Sequence, residues 1–112
     1  MSLKLGGHLF TGPFPIDATE VRANQAPVVF AIVAKGGPPF APVFRVVDIG
    51  ASPDDGVRFA THPRHADWSA QLGESLNLYL LSLPRSEYAL ADRERLTAEL
   101  REKYDPPRGL VV

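Results

Sequence analysis

The sequence predicts a small α/β sandwich of the α+β kind, with helices flanking a three-stranded, mainly antiparallel sheet. Two apolar runs separated by a glycine- and proline-rich loop predict a hairpin, and a later apolar run predicts a third strand. A charged segment with apolar residues at helical spacing predicts a long C-terminal helix. The 112 residues, 45% hydrophobic and 22% charged, have the size and composition of one globular domain, residues 1–112.

The three predicted strands are apolar runs that end at glycine or proline. Residues 28–34 contain no polar residue, which is typical of a strand covered on both faces. Residues 43–49 form the second arm of the hairpin, and Gly50 ends it. Residues 76–83 precede Pro84 and form the third strand.

Helices are predicted where a residue that favours a helix N-terminus precedes a suitable segment. Ser52 favours a short helix over 52–61, and a helical turn is expected over 66–72. Ser86 favours the long helix, over 86–104. The predicted core consists of Phe30, Val46, Ile49, Leu78, Leu80, Leu96 and Leu100.

Residues 1–26 are expected to form an extended N-terminal arm, because they hold several glycines and prolines. Asp17 and Glu20 resemble a capping box and predict one helical turn over 18–23. The start of the chain has one lysine and no long apolar stretch, so it lacks the pattern of a secretory signal.

Charge and composition argue against several classes of function. The 12 basic and 13 acidic residues give a net charge of −1, unlike a polycationic nucleic-acid-binding arm. The sequence has no run of about 18 apolar residues, so no membrane partner is expected. The absence of cysteine excludes disulfides, thiolate zinc sites and a cysteine nucleophile, and it fits a cytoplasmic location.

The predicted hairpin carries one triplet on each strand, Val-Val-Phe at 28–30 and Asp-Ile-Gly at 48–50. Arg58 follows Gly50 by eight residues, and His62 comes one helical turn after Arg58. This ordered set resembles the GIY-YIG nuclease domain, whose hairpin carries Gly-Ile-Tyr and Tyr-Ile-Gly. The resemblance implies the fold of that family, a catalytic arginine at Arg58 and nucleic acid as a candidate partner.

Three positions depart from the family pattern. Phe30 stands at the first tyrosine and has no hydroxyl to move a proton, and Asp48 replaces the second tyrosine. Thr97 stands at the glutamate that holds the divalent metal, although Mg²⁺ prefers carboxylate oxygen. The resemblance therefore implies a catalytically degenerate domain that acts as a binding or interaction module and needs no cofactor.

An active endonuclease would need a rebuilt site. In this alternative Asp48 is the base or a metal ligand, Arg58 neutralises the phosphate and His62 stands beside it. Glu94, one helical turn before Thr97, would hold Mg²⁺. A third hypothesis is a module for homo-oligomerisation without a ligand.

Charge opposes the active alternative. Five acidic residues face two basic ones between Asp48 and Glu74, the segment that would meet a phosphate. His62 and His65 form a His-x-x-His pair with Asp67 nearby, which is a possible zinc set, although the proline between them disturbs regular helical spacing.

Ordinary structural roles are also open for the residues singled out. Asp48 at a strand end can accept backbone N–H groups, and Arg58 can pair with a neighbouring aspartate on a solvated helix. Trp68 can be a packed aromatic residue whose N–H reaches a carbonyl group.

Overall fold

The apolar run after Pro27 forms an interior strand of the structure, a computed structural model that describes residues 2–41, 43–70, 75–104 and 110–111. This strand is buried along its first seven residues, because both of its faces are covered. In chain order, the strands are β1 (Ser2–Leu5), β2 (His8–Phe14), β3 (Glu20–Arg22), β4 (Val28–Gly36), β5 (Val43–Ala51), β6 (Gly56–Arg58), β7 (Ser75–Ser82) and β8 (Leu110–Val111). The α-helices are α1 (His65–Ser69) and α2 (Leu90–Tyr104).

The main sheet has the strand order β1-β2-β7-β4-β5-β8, with antiparallel pairing. The predicted hairpin is β4–β5, and β7 pairs with the other side of β4. The α+β class and these three strands are therefore confirmed. The prediction of a three-stranded sheet is wrong, because the N-terminal arm contributes β1 and β2 beside β7, and the short β8 pairs with β5.

Gly6 and Gly7 turn the chain between β1 and β2. Their φ angles are 56° and 84°, and a two-residue hairpin turn favours positive values at both positions. The Gly6 N–H donates to Tyr104 Oη at 2.7 Å, and a Cβ on Gly6 would lie 2.6 Å from Leu100 Cδ2. The arm is thus fastened to α2 rather than extended into solvent.

The predictions of helices over 18–23 and 52–61 are wrong. The two segments pair as the strands β3 and β6, with Val21 opposite Val57. Gly56 has a φ of +93°, and a Cβ there would overlap the Val21 carbonyl, so a helix cannot continue through it. Two short 3-10 turns flank this pair, Ile16–Ala18 and Phe59–Thr61.

The long helix α2 begins at Leu90, later than Ser86 suggests. The residues after Pro84 form a turn that returns two N–H groups to the Pro84 carbonyl. Asp92 caps the helix instead, because its Oδ2 accepts the Ala89 N–H at 2.8 Å.

The helical turn predicted over 66–72 is present as α1, and residues 71–72 lie outside the described part of the chain. Within the described residues, no helix combines the length and the apolar character needed to cross a bilayer.

Alternate residues of β4 divide the core into two clusters, one on each face of the sheet. Val29 packs in the cluster that contains Leu100 of α2, whereas Phe30 packs in the cluster that contains Trp68 of α1. The predicted core residues that are buried are Phe30, Val46, Ile49, Leu78 and Leu100, and those that are partly buried are Leu80 and Leu96. The main sheet therefore separates α2 from α1.

Candidate functional site

Asp48 is a buried carboxylate on β5 with both oxygens engaged. Its Oδ1 accepts the Ile49 N–H at 2.9 Å and Arg101 Nη1 at 2.6 Å. Its Oδ2 accepts the Trp68 indole N–H at 2.9 Å and lies 3.0 Å from Arg64 Nε. Three hydrogen bonds and the ion pair with Arg64 therefore engage both oxygens of Asp48, which leaves neither of them free for a proton-transfer task.

A β-bulge in β5 sets the direction of the Asp48 side chain. Ile32 pairs with Asp48 and Val33 pairs with Val46, so Val47 is one extra residue in β5. The bulge puts Asp48 on the face of the sheet that carries Trp68. Position 48 would otherwise face α2.

Two arginines reach Asp48 from opposite faces of the sheet. Arg64 directly precedes α1, and Arg101 extends from α2. Arg101 Nη1 also donates to the Ile49 carbonyl at 3.0 Å, so side chains bond both backbone polar groups of Ile49. This arrangement occupies the backbone of β5 at Ile49, beyond the residues that pair with β8, and so protects this part of the strand edge.

The two arginines line one cleft between the end of β5 and α2, with a volume of about 460 Å³. Their side chains are 41% and 42% exposed, so each guanidinium keeps contact with solvent while one side is held by Asp48. Gly50 permits this approach, because a Cβ there would overlap the Phe30 ring and lie 3.0 Å from Arg64 Nη2. The described residues that line the cleft are Ile49, Gly50, Ala51, Pro53, Arg64, Leu90, Glu94, Thr97, Ala98 and Arg101.

Glu94 and Thr97, the two α2 positions singled out in the sequence, both line this cleft. Thr97 Oγ1 is buried and has no hydrogen-bond partner among the described residues. Glu94 is exposed and makes no ion pair within the described chain. The cleft thus offers two cationic groups, one carboxylate and one hydroxyl over an apolar floor.

Arg58 is not part of this cleft. Its side chain on β6 is 68% exposed, and its Nε lies 3.2 Å from Glu20 Oε2. Hydrogen bonds from Arg22 and Arg58 lower the pKa of Glu20. The sequence left open a pairing of Arg58 with a neighbouring aspartate on a helix, but the strand pairing of β3 and β6 brings Arg58 to Glu20 instead.

His62 lies in an aromatic cluster and is not among the described residues that line the cleft. Its ring stacks on Trp68 with centroids 4.7 Å apart and lies edge-on to Phe30 at 5.6 Å. His62 Nδ1 accepts the Arg64 backbone N–H at 3.1 Å. Burial, and next the nearby Arg64 charge, lower the pKa of His62. The ring therefore orients the segment that carries Arg64, and Phe30 is a core residue, as its apolar environment requires.

Among the described residues, no group of three or more histidine or carboxylate side chains is placed to hold a metal ion, so His62, His65 and Asp67 do not form a zinc site. His65 Nε2 lies 2.6 Å from Asp17 Oδ1, so this ring fastens α1 to the segment before β3. The sequence reasoning missed Arg64 and Arg101 as site residues. The spacing of Glu94, Thr97 and Arg101 at i, i+3 and i+7 on one helix face was the available signal for Arg101.

The chain was compared with protein-family models, with curated proteins and with solved structures, and no significant match was found in any of the three.

Proposed function

We propose that this protein is a non-catalytic binding domain of GIY-YIG-like design, and that its cleft binds the phosphate groups of single-stranded nucleic acid. The observation that carries the proposal is the Arg64–Asp48–Arg101 arrangement. One buried carboxylate holds two half-exposed guanidinium groups in the wall of the same cleft. Arginine held in this way is pre-organised for bidentate contact with phosphate oxygens.

The same arrangement opposes catalysis. Three N–H donors and the Arg64 ion pair occupy the Asp48 oxygens, so water activation by Asp48 would require breaking a buried network. Thr97 brings no charge for a metal, and Glu94 is the one carboxylate among the described residues that line the cleft. A single exposed carboxylate beside two arginines is a poor Mg²⁺ site.

The size and lining of the cleft favour a nucleotide unit over a duplex surface. A volume of about 460 Å³ is in the range of small-ligand pockets. Pro53 and Leu90 offer apolar contact to a sugar or base, and the Glu94 carboxylate can accept a hydrogen bond from the exocyclic amino group of cytosine. Neutralisation of phosphates by Arg64 and Arg101 makes the affinity sensitive to salt, and the negative charge of Glu94 in the lining lowers it.

Fluorescence anisotropy with labelled single-stranded DNA and RNA oligonucleotides tests this proposal. With two phosphates neutralised, the slope of log K against log salt should be about −1.4. Arg64→Gln and Arg101→Gln should each weaken binding about 10-fold or more, since each removes a charged hydrogen-bonding group. Arg58→Gln is the matched control, because Arg58 also pairs through Nε with one carboxylate but lies outside the cleft. Equal effects of all three changes, or no binding at low salt, would contradict the proposal.

A further inference from the structure

Phe40 is the most exposed large apolar side chain among the described residues, at 89% exposure. It lies at the tip of the hairpin formed by β4 and β5, away from both core clusters. Aromatic side chains, phenylalanine included, are enriched in the cores of protein–protein interfaces.

The turn that carries Phe40 is constrained. The Ala41 N–H donates to the Pro38 carbonyl at 3.0 Å, which closes a turn with Pro39 and Phe40 at its centre. Gly37 has a φ of +80°, and a Cβ there would lie 2.9 Å from the Ala41 carbonyl oxygen. Phe40 is therefore presented on a stiff turn, so little conformational entropy would be lost when its ring is buried by a partner.

A groove of about 380 Å³ lies between α2 and the end of β7, outside the arginine cleft. Leu81, Leu83 and Leu96 contribute apolar groups to it, and the 39% exposed Tyr88 adds an aromatic ring. An apolar cavity of about 150 Å³ holds benzene, so this groove has room for a phenylalanine ring.

The segment around Phe40 and the lining of the groove carry opposite charge. Residues 35–47 carry Lys35 and Arg45 and no acidic residue. The groove is lined by Asp92, Arg95 and Glu99, and the ion pair of Arg95 with Asp92 at 3.0 Å leaves Glu99 without an ion pair among the described residues.

We propose that the turn bearing Phe40 in one copy of this chain docks into the groove of a second copy, with the Phe40 ring seated against Leu96 and Lys35 directed toward Glu99. Phe40 does not line the groove of its own chain, so the turn bearing Phe40 and the groove are separate surfaces of each molecule. Such a contact is heterologous, and it joins copies head to tail.

Sedimentation equilibrium of the full chain over a wide concentration range tests this association. The wild type should show a mass that rises with concentration, and Phe40→Ser should weaken association about 10-fold or more. Ser82→Trp, which fills the groove from an exposed position, should do the same. Leu9→Ser is the control, because Leu9 is 61% exposed but lies on β2 outside the groove.

Mixing the two defective variants gives the sharpest outcome. The Phe40→Ser variant keeps an open groove, and the Ser82→Trp variant keeps the turn bearing Phe40. Each variant alone should therefore be monomeric. In the mixture, the Phe40 turn of one variant should dock into the groove of the other and form a one-to-one dimer that does not grow. Formation of that dimer also shows that both variants are folded. A wild type that stays monomeric, association that survives Phe40→Ser, equal loss in Leu9→Ser, or a mixture without the dimer would each overturn the proposal.

Discussion

The Trp68 indole N–H donates to Asp48 Oδ2 at 2.9 Å, and both side chains are buried. This bond joins α1 to β5 and helps to hold the carboxylate on which Arg64 and Arg101 converge. In the resemblance to nucleases, position 48 matches a catalytic tyrosine. In this structure, the aspartate at that position organises the surrounding donors and has no free oxygen.

Asp48→Ala should lower the free energy of unfolding by about 3 kcal/mol, because it leaves the Trp68 and Ile49 N–H groups without an acceptor. Urea denaturation measures the change. Glu20→Gln removes the partner of the exposed Arg58 and should leave the free energy of unfolding unchanged within error. A loss below about 1 kcal/mol in Asp48→Ala would show that the network contributes little to stability.

Asp54→Ala should destabilise the fold more than Arg93→Met, although Asp54 is exposed and Arg93 is fully buried. Arg93 Nη2 lies 2.7 Å from Asp54 Oδ1, and its Nε donates to the Ser52 carbonyl at 3.1 Å. Removal of the carboxylate leaves the buried Arg93 charge without its ion-pair partner, at a cost of about 1–3 kcal/mol, whereas methionine removes that charge.

Urea denaturation of both single variants and the double variant checks the order of these effects. The double variant should be more stable than Asp54→Ala alone. If Arg93→Met were the most destabilised of the three, the buried charge would not be the source of the cost.

His62 should make the free energy of unfolding fall as the pH drops from above 6.5 to below the folded-state pKa of this ring. Burial, and then Arg64, hold its pKa below the ordinary value of 6.5, and its Nδ1 must be unprotonated to accept the Arg64 N–H. The unfolded chain therefore takes up the proton more readily. The stability that the neutral ring contributes is fully present above 6.5 and is lost as the pH falls through the folded-state pKa.

The urea midpoint of the wild type should accordingly fall further over this range than that of His62→Gln. The other histidines and the carboxylates are present in both proteins, so their titration largely cancels in the comparison. Parallel pH profiles for the two proteins would exclude His62 as the titrating group.

The purified protein should not cleave plasmid, single-stranded DNA or RNA with Mg²⁺ or Mn²⁺. Phe30 has no hydroxyl and the Asp48 oxygens are occupied, so Glu94 is the one carboxylate left in the described cleft lining, and a single exposed carboxylate beside two arginines is a poor site for the metal that cleavage needs. Gel assays across several divalent metals measure this. Activity that copurifies with the protein and disappears in both Glu94→Gln and Arg101→Gln would support the rebuilt nuclease instead. Activity that survives both changes would point to a contaminant.

The sequence predicted β4, β5, β7 and α2 because continuous apolar runs and helical spacing are strong local signals. It failed at β1 and β2, although Gly6-Gly7 between two alternating runs is a recognised hairpin signal. It also failed at β3 and β6, where three-residue strands are specified by their mutual pairing and by the left-handed Gly56, not by local propensity.

The candidate site was predicted in part. Glu94 and Thr97 do share one cleft, but motif spacing selected Arg58 as its cation, whereas the structure brings Arg64 and Arg101 there. The reason is tertiary. Arg101 reaches around the edge of β5, and the bulge at Val47 turns Asp48 toward α1, and neither feature has a local sequence signature.

The arginine side-chain N–H signals in nitrogen-15 NMR spectra, followed during titration with a single-stranded oligonucleotide, test the central claim most directly. Arg64 Nε and Arg58 Nε each lie close to one carboxylate, at 3.0 Å and 3.2 Å, so the two signals form a matched pair. The Arg64 signal should shift in a saturable manner while the Arg58 signal stays in place. A shift at Arg58 without one at Arg64, equal shifts at both, or no shift at either would contradict a phosphate-binding cleft organised by Asp48.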